Sequence, residues 1–323
     1  MAPHRARRRR IRRSGRRTLV YTVVASAVLV GGTAAGAVYV KAQAHDRGSL
    51  VSSPSASPGT SSSAPAAASS PSQEASVEPV TEPAVDRDAL LTKTMKAVAL
   101  ESGAAVSVAV FDLDSGEGAA YGEGAFDTAS IVKVDILATL LLQAQDADRR
   151  LTAAEKTYAT AMITNSDNAS ASALWDIIGQ ADGLDAANER FGLTGTSGGD
   201  GALWGLTQTT AADQLTLLQQ VFGDDSELSE ASRTYLQGLM GEIAADQHWG
   251  VSAAAEGTQW ALKNGWLARS STGLWDINSI GRVTVDGDEY LVAALSNGNT
   301  TKAKGISVVE AAAKAAVAAF GSA

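Results

Sequence analysis

The stretch TASIVKV, residues 128–134, decides how the rest of the chain is read. Ser130 stands three residues before Lys133, and an apolar run follows through Val134, Ile136, Leu137, Leu140, Leu141 and Leu142. That run predicts a helix from Ser130 to Gln145, apolar nearly all round and therefore buried. Ser130 then starts the helix, where backbone amides and the helix dipole favour negative charge. Lys133 shares its face at i+3. Two readings are open. In one, Ser130 is an N-cap and Lys133 a surface residue. In the other, Ser130 is a nucleophile and a desolvated Lys133 is its base. A lysine that interrupts a helix with little polar face favours the second. Histidine offers no alternative base of the usual kind: the chain has only His4, His45 and His248, and the first two precede the expected folded domain.

The 323 residues suffice for one or two domains. Charge divides them unevenly. Residues 1–17 form a basic tail with nine arginines and no acid, whereas from Gly48 onward 15 Lys and Arg stand against 34 Asp and Glu, a net −19. Between them, residues 18–40 carry no charge over 23 positions. This is long enough to span a bilayer. The arginines before it predict a cytoplasmic N-terminus and an exported remainder. The alternative is a signal peptide cleaved near Ala42-Gln43-Ala44, with secretion as the outcome. Residues 41–84, rich in Ser, Pro and Ala, predict a disordered linker that carries the domain away from the membrane. The globular domain is placed at 85–323, and nothing in the sequence calls for more than a monomeric domain. The absence of cysteine excludes disulfides and thiolate chemistry. No metal or other cofactor is expected, since one histidine leaves only carboxylates as ligands and no EF-hand spacing is visible. The acidity of the exported part disfavours nucleic acid as a partner.

Along the domain, the sequence predicts a helix at 86–102, strands in AVSVAVFDLDSG and around AAYGEG, and the buried helix at 130–145. Thr152 and Glu155 predict a capping box. Further helices are expected at 169–178, 208–222 and 228–246. Three strands follow, QWALKNGWL, LWDINSIGRVTV and EYLVAALSN, the last two joined by a hairpin turn at Asp286-Gly287. A helix at about 302–320 closes the chain. The fold class is therefore α+β, an α/β/α sandwich whose antiparallel sheet is built from both chain ends and interrupted by an all-helical insertion.

Two more motifs carry polar chemistry. Asn165-Ser166-Asp167-Asn168 reads alone as a helix stop and restart with capping residues. Lys263-Asn264-Gly265-Trp266 reads alone as a strand end, or as an edge whose glycine lets a ligand approach the backbone. In this order, SIVK, SDN and KNG resemble the S-x-x-K, S-D-N and K-T-G signature of penicillin-recognising serine hydrolases, closest to class A β-lactamases. The similarity extends into GLTQTTAADQLTLLQQV and LSEASRTYLQGLM and so spans most of 86–323.

The resemblance implies roles residue by residue. Ser130 would attack an acyl donor and Lys133 would take its proton. Ser166 would pass a proton to the leaving nitrogen, and Lys263 would orient Ser166 or a substrate carboxylate. Asn168 would bind the substrate's amide side chain. Asn264, Gly265 and Trp266 would line the substrate, and the amides of Ser130 and Trp266 would form the oxyanion hole. Three departures stand out. The family's water-activating glutamate on the Ω-loop has no counterpart in RFGLTGTSGGDGALWGLTQTT, where only Asp200 is acidic and Glu189 lies upstream in an expected helix. Asn264 replaces a hydroxyl. Bulky Trp266 follows the glycine and is expected to reshape the site mouth. Arg269 and Arg282 read equally as binders of a substrate carboxylate and as solvated strand ends. The expected function is a membrane-tethered serine hydrolase forming acyl-enzymes with β-lactams or related amides. The alternatives are a penicillin-binding-protein-like peptidase or transpeptidase acting on cell-wall peptide, and a non-catalytic sensor module.

Overall fold

The computed structural model describes residues 85–321. The expected basic tail, membrane-spanning segment and linker at 1–84 lie outside the described residues. Among the described residues, no helix is long and apolar enough to cross a membrane.

Helix α1 (Arg87–Met95) is followed by strands β1 (Ala105–Asp112), β2 (Gly118–Tyr121) and the short β3 (Phe126–Asp127). The helical insertion comprises α2 (Val132–Asp146), α3 (Ala153–Thr164), α4 (Asn168–Ile178), α5 (Gln180–Phe191), α6 (Ala211–Phe222) and α7 (Glu230–Gly241), with the short β4 (Gln208–Thr209) before α6. The chain ends in β5 (Trp260–Ala268), β6 (Trp275–Val285), β7 (Asp288–Asn299) and α8 (Lys302–Ala318). The main sheet is antiparallel in the order β2-β1-β7-β6-β5, so strands from both chain ends meet at its centre and β5 forms an edge. This is the expected α+β sandwich.

Strand alternation explains the layers. On β1, Val106, Val108 and Val110 pack with Val308, Val309 and Ala312 of α8, while Ala109 faces the helical insertion. On β7, Val292 and Ala294 take the α8 side and Leu291, Ala293 and Leu295 the other. Both faces are covered, so the central strands are apolar on both sides. The β6–β7 turn carries Asp286 and Gly287 at φ of 55° and 99°, the left-handed pair that a two-residue hairpin of the I′ type demands.

Helix α2 is buried at every position from Val132 to Leu142, as its composition predicts. The capping box at Thr152 and Glu155 is present in both directions, and it fixes the start of α3. The first helix is shorter than expected and stops at Met95. Leu91 and Met95 dock on the α8 layer, whereas Leu100 is 42% exposed and gives the chain beyond Met95 no face to bury. The helix expected from 208 begins at Ala211, capped by Thr210, because Gln208 and Thr209 pair with Phe126 and Asp127 instead. Helix α5 was visible in the sequence only through Glu189.

Candidate active site

The nucleophile candidate is set by a tight turn. Residues Ala129–Ile131 form a 3₁₀ turn that runs directly into α2, and Ala129 takes φ of 48° to enter it. A non-glycine residue held there costs on the order of 1–3 kcal/mol, and such strain collects at functional sites. The cap positions of the turn and of α2 fall to Thr128 and Ile131, so Ser130 is not the N-cap of either. Asn278 on β6 donates from Nδ2 to the carbonyls of Asp127 (2.8 Å) and Thr128 (3.0 Å), which ties the turn to the sheet.

Lys133 is wholly buried. Its ammonium donates to the Ser166 carbonyl (2.7 Å), to Ser166 Oγ (3.1 Å) and to Asn168 Oδ1 (2.8 Å). Burial lowers its pKa to about 7, and only the Asp167 carboxylate pulls the other way. Ser166 joins α3 to α4 at φ of 56°, a second left-handed non-glycine residue. Asp167 is the N-cap of α4, accepting from the Ser170 amide at 2.6 Å. The motif therefore does two things at once: Asp167 restarts the helix, while Ser166 and Asn168 hold the lysine.

Lys263 reaches the same hydroxyl from the sheet. It is wholly buried and donates to Ser166 Oγ at 3.1 Å, to Gln247 Oε1 at 3.5 Å and to the Asn264 carbonyl at 3.0 Å. Burial, and then the charge of Lys133, pushes its pKa well below the usual lysine value. With two lysine Nζ atoms donating to Ser166 Oγ, both of its lone pairs are occupied and its own O–H is left for an outside acceptor.

Gly265 closes the site on the sheet side. A Cβ there would lie 2.7 Å from the Thr128 carbonyl oxygen, 2.8 Å from the Ser130 nitrogen and 3.0 Å from the Ile131 nitrogen. The β5 edge thus lies against the Ser130 amide with no room for a side chain. Gly265→Ala is expected to push β5 off the nucleophile turn and slow acylation about 100-fold, since ångström-scale misplacement costs that much. Rapid-quench measurement of adduct formation, with circular dichroism to verify folding, checks this; an unchanged rate would mean that the fit at Gly265 has no catalytic consequence.

Alternation along β5 sorts the remaining predicted residues. Lys263 and Gly265 face the helical insertion. Asn264 faces the α8 side, wholly buried, and its Nδ2 donates to the carbonyls of Gln247 (2.8 Å) and Trp249 (3.0 Å). It pins the 247–249 segment behind the edge strand. The Trp266 indole also turns to that side, 6.0 Å from the Trp249 ring, with Lys302 Nζ 3.9 Å above it. Its side chain therefore lies away from Ser130, contrary to the expectation that it reshapes the site mouth; its backbone alone adjoins Gly265. Arg269 is paired with Asp127 and, at 2.6 Å, with Asp276. Arg282 is paired with Glu289 at 2.8 Å and stacked on Phe222. Both arginines are committed inside the protein.

Three site residues were not foreseen: Gln247, Asn278 and Trp204. The Trp204 ring centre lies 4.9 Å from Lys133 Nζ, and its Nε1 donates to Ser172 Oγ at 3.1 Å. An aromatic face, and no carboxylate of the 192–210 loop, thus covers the lysine. Asp200 and Glu189 are both exposed, and neither side chain makes a hydrogen bond among the described residues. A lone aromatic in a glycine-rich loop was the one available sequence signal for Trp204; Asn278 was detectable only as a polar residue inside an apolar strand. Among the described residues there is no cluster of His, Cys, Asp and Glu able to hold a metal ion.

Comparison with known proteins agrees with this geometry. No curated protein matches the chain. Among solved structures, PBP-A superposes with a TM-score of 0.63 at 20% identity, covering 73% of this chain and 97% of its own. A β-lactamase from Xanthomonas campestris gives 0.56 at 21% identity, with 71% and 95% covered. A class A β-lactamase from Bacteroides cellulosilyticus gives 0.62 at 16% identity, with 73% and 99% covered. These likenesses establish the fold of the penicillin-recognising serine hydrolases. The sequence model described as Beta-lactamase enzyme family matches residues 154–320, just over half of the chain, and takes in both the Ser166 and the Lys263 motifs. The chain belongs to the Beta-lactamase enzyme family.

Proposed function

We propose that the domain is a serine acyl-enzyme of penicillin-binding type, exported and tethered to the membrane by its N-terminal segment. It acylates Ser130 with β-lactams or with cell-wall peptide, and it releases the acyl group slowly. The observation that carries this reading is the Lys133–Ser166–Lys263 constellation, in which two buried lysines meet one hydroxyl while Trp204, not a carboxylate, lies over Lys133.

The steps follow from the side chains. Neutral Lys133 takes the proton of Ser130 Oγ as that oxygen attacks the carbonyl. The Ser130 and Trp266 amides receive the developing oxyanion. Ser166 delivers its proton to the departing nitrogen and takes back the one that Lys133 received from Ser130, across the 3.1 Å Lys133–Ser166 hydrogen bond, while Lys263 keeps Ser166 oriented. Hydrolysis then needs a base for water. The Trp204 ring provides none and occupies the space beside Lys133. A mutant of PBP-A has been captured as its acyl-enzyme complex with penicillin G. That precedent on the same fold supports the same chemistry here.

Intact-mass analysis of the full chain after exposure to penicillin G tests the proposal. The expected result is a single adduct that persists for many minutes and is missing from Ser130→Ala. Absence of any adduct would reduce the domain to a binding module. Rapid turnover of a chromogenic cephalosporin would make it a true β-lactamase and would point to a base elsewhere.

A further inference from the structure

A concavity lies at the opposite end of α2 from Lys133. It has a volume of about 380 Å³ and is walled by the last turns of α2, the 147–152 loop, the start of α3 and the first turns of α7. Gln145, on its wall, follows Lys133 by twelve residues, which along a helix is roughly 18 Å. The cavity therefore shares no residue with the catalytic constellation.

Its charged lining is cationic. Arg149, Arg150 and Lys156 all line it, and no carboxylate does. The nearby acid, Glu155, is consumed: it accepts from Arg149 Nη1 at 2.9 Å and from the Thr152 amide at 2.7 Å. Arg150 and Lys156 are exposed and have no acidic partner among the described residues. In a region with a net charge of −19, two unpaired cations at one opening form a local inversion of sign. The apolar part of the lining is Leu141, Ala144, Leu151 and the ring of Tyr235, whose hydroxyl is buried. The far wall is the start of α7, whose first turn carries Glu230. Ser229 caps α7, and Gln145 Oε1 accepts from both the Ser229 amide (2.9 Å) and Ser232 Oγ (2.6 Å), which ties the start of that helix to the end of α2. Ligand sites combine an apolar body with a few placed polar groups, and this volume falls at the small end of their range.

We propose that this cavity is a binding site for an anionic amphiphile. A phosphate or carboxylate head is held at the mouth by Arg150 and Lys156, and a short alkyl chain lies on Leu141, Leu151 and Tyr235. The head can come from a free metabolite or from an anionic lipid, and the shared chemistry is a monoanionic or dianionic group on hydrocarbon.

The test uses the full chain in phosphatidylcholine bilayer discs, titrated calorimetrically with octyl phosphate, inorganic phosphate and octanol. The wild type is compared with R150E/K156E in the same discs, so that partitioning through any other segment cancels. Octyl phosphate is expected to bind one to one, at least tenfold tighter than either fragment, and to lose at least tenfold in the double variant. Both proteins are expected to form the penicillin adduct at equal rates, which shows that the variant is folded. Repeating the wild-type titration in phosphatidylglycerol discs separates the sources. An affinity lowered by competition identifies the membrane, and an unchanged one identifies a soluble amphiphile. Equal affinity of the two proteins for octyl phosphate, inorganic phosphate binding as tightly as octyl phosphate, or no binding at all would each overturn the proposal.

Discussion

Lys133→Ala is expected to slow acylation of Ser130 by about 10²–10⁴-fold, the usual contribution of a positioned general base. The expectation rests on burial. Lys133 has no exposed surface and its pKa falls to about 7, so a large fraction is neutral at physiological pH. As an ammonium it fills three acceptors, on Ser166 and Asn168. Deprotonation gives up one of these bonds and leaves a lone pair for the Ser130 proton. Because Ala also removes those bonds, Lys133→Arg is the sharper variant. It retains a cation and hydrogen-bond donors but cannot lose its proton near neutrality. Both variants are expected to show the same order of loss when adduct formation with penicillin G is followed by mass. An arginine variant that acylates at the wild-type rate would mean that the lysine acts only as a fixed charge.

Asp135→Asn is expected to stabilise the domain above neutral pH, an unusual direction for a core substitution. Asp135 sits two residues beyond Lys133 on α2 and is buried, and among the described residues no cation pairs with it. It accepts from Asn188 Nδ2 at 3.2 Å, while its second oxygen, Asn188 Oδ1 and Thr139 Oγ1 lack partners. Burial raises its pKa to about 7, the Asn188 bond opposes the rise, and the charges of Asp185 and Asp213 add to it.

The sign of the effect follows from proton counting. Between the unfolded value of 3.8 and about 7, the native state holds a proton that the unfolded chain has released. Stability is therefore greatest below the unfolded value and falls as pH rises, by roughly 1.4 kcal/mol per unit and ~4 kcal/mol in all as an upper bound. Above the folded value both states are ionised and the loss is complete. Asparagine removes the dependence and can return a hydrogen bond to Asn188 Oδ1. Thermal melts from pH 4 to 9 should show a wild-type Tm that falls towards pH 8 and a flatter line for the variant. On the order of 5–10 °C should separate them at pH 8, given about 2–4 °C per kcal/mol for a domain of this size. A variant that melts lower than wild type at pH 8 would show that the carboxylate is held by partners that its burial does not reveal.

Much of this architecture was legible in the sequence, and for a physical reason. The period-2 and continuous apolar patterns of β1, β6, β7 and α2 leave few alternatives for what they bury, and the Asp286-Gly287 turn fixes one hairpin. The residues that meet at Ser166 Oγ were also legible, because Ser130–Lys133 and Ser166–Asn168 are short local motifs and Lys263 is a lysine inside an apolar strand. What stayed hidden depends on long-range geometry. The face taken by Asn264 and Trp266 follows from which side of β5 meets the insertion, and no local signal reports that. The pairing of Arg269 with Asp127 joins residues more than a hundred positions apart. Trp204 lies over Lys133 because long-range bonds anchor its loop to α4: Trp175 Nε1 donates to the Gly201 carbonyl at 2.7 Å and Trp204 Nε1 to Ser172 Oγ at 3.1 Å. Helix α5 carries Gly183 and four charged residues among its twelve, a composition that weakens any helical reading until Leu184, Ala187 and Phe191 are seen to be buried.

The most direct test of the lysine base is the pH dependence of acylation by penicillin G, measured by stopped-flow or quench and mass from pH 5 to 9. A buried Lys133 working as the neutral amine predicts a rate that rises through a midpoint near 7 and levels off above 8, with the rise absent from the residual reaction of Lys133→Arg. A rate that is flat over this range in the wild type, or that is still climbing at pH 9, would contradict the account.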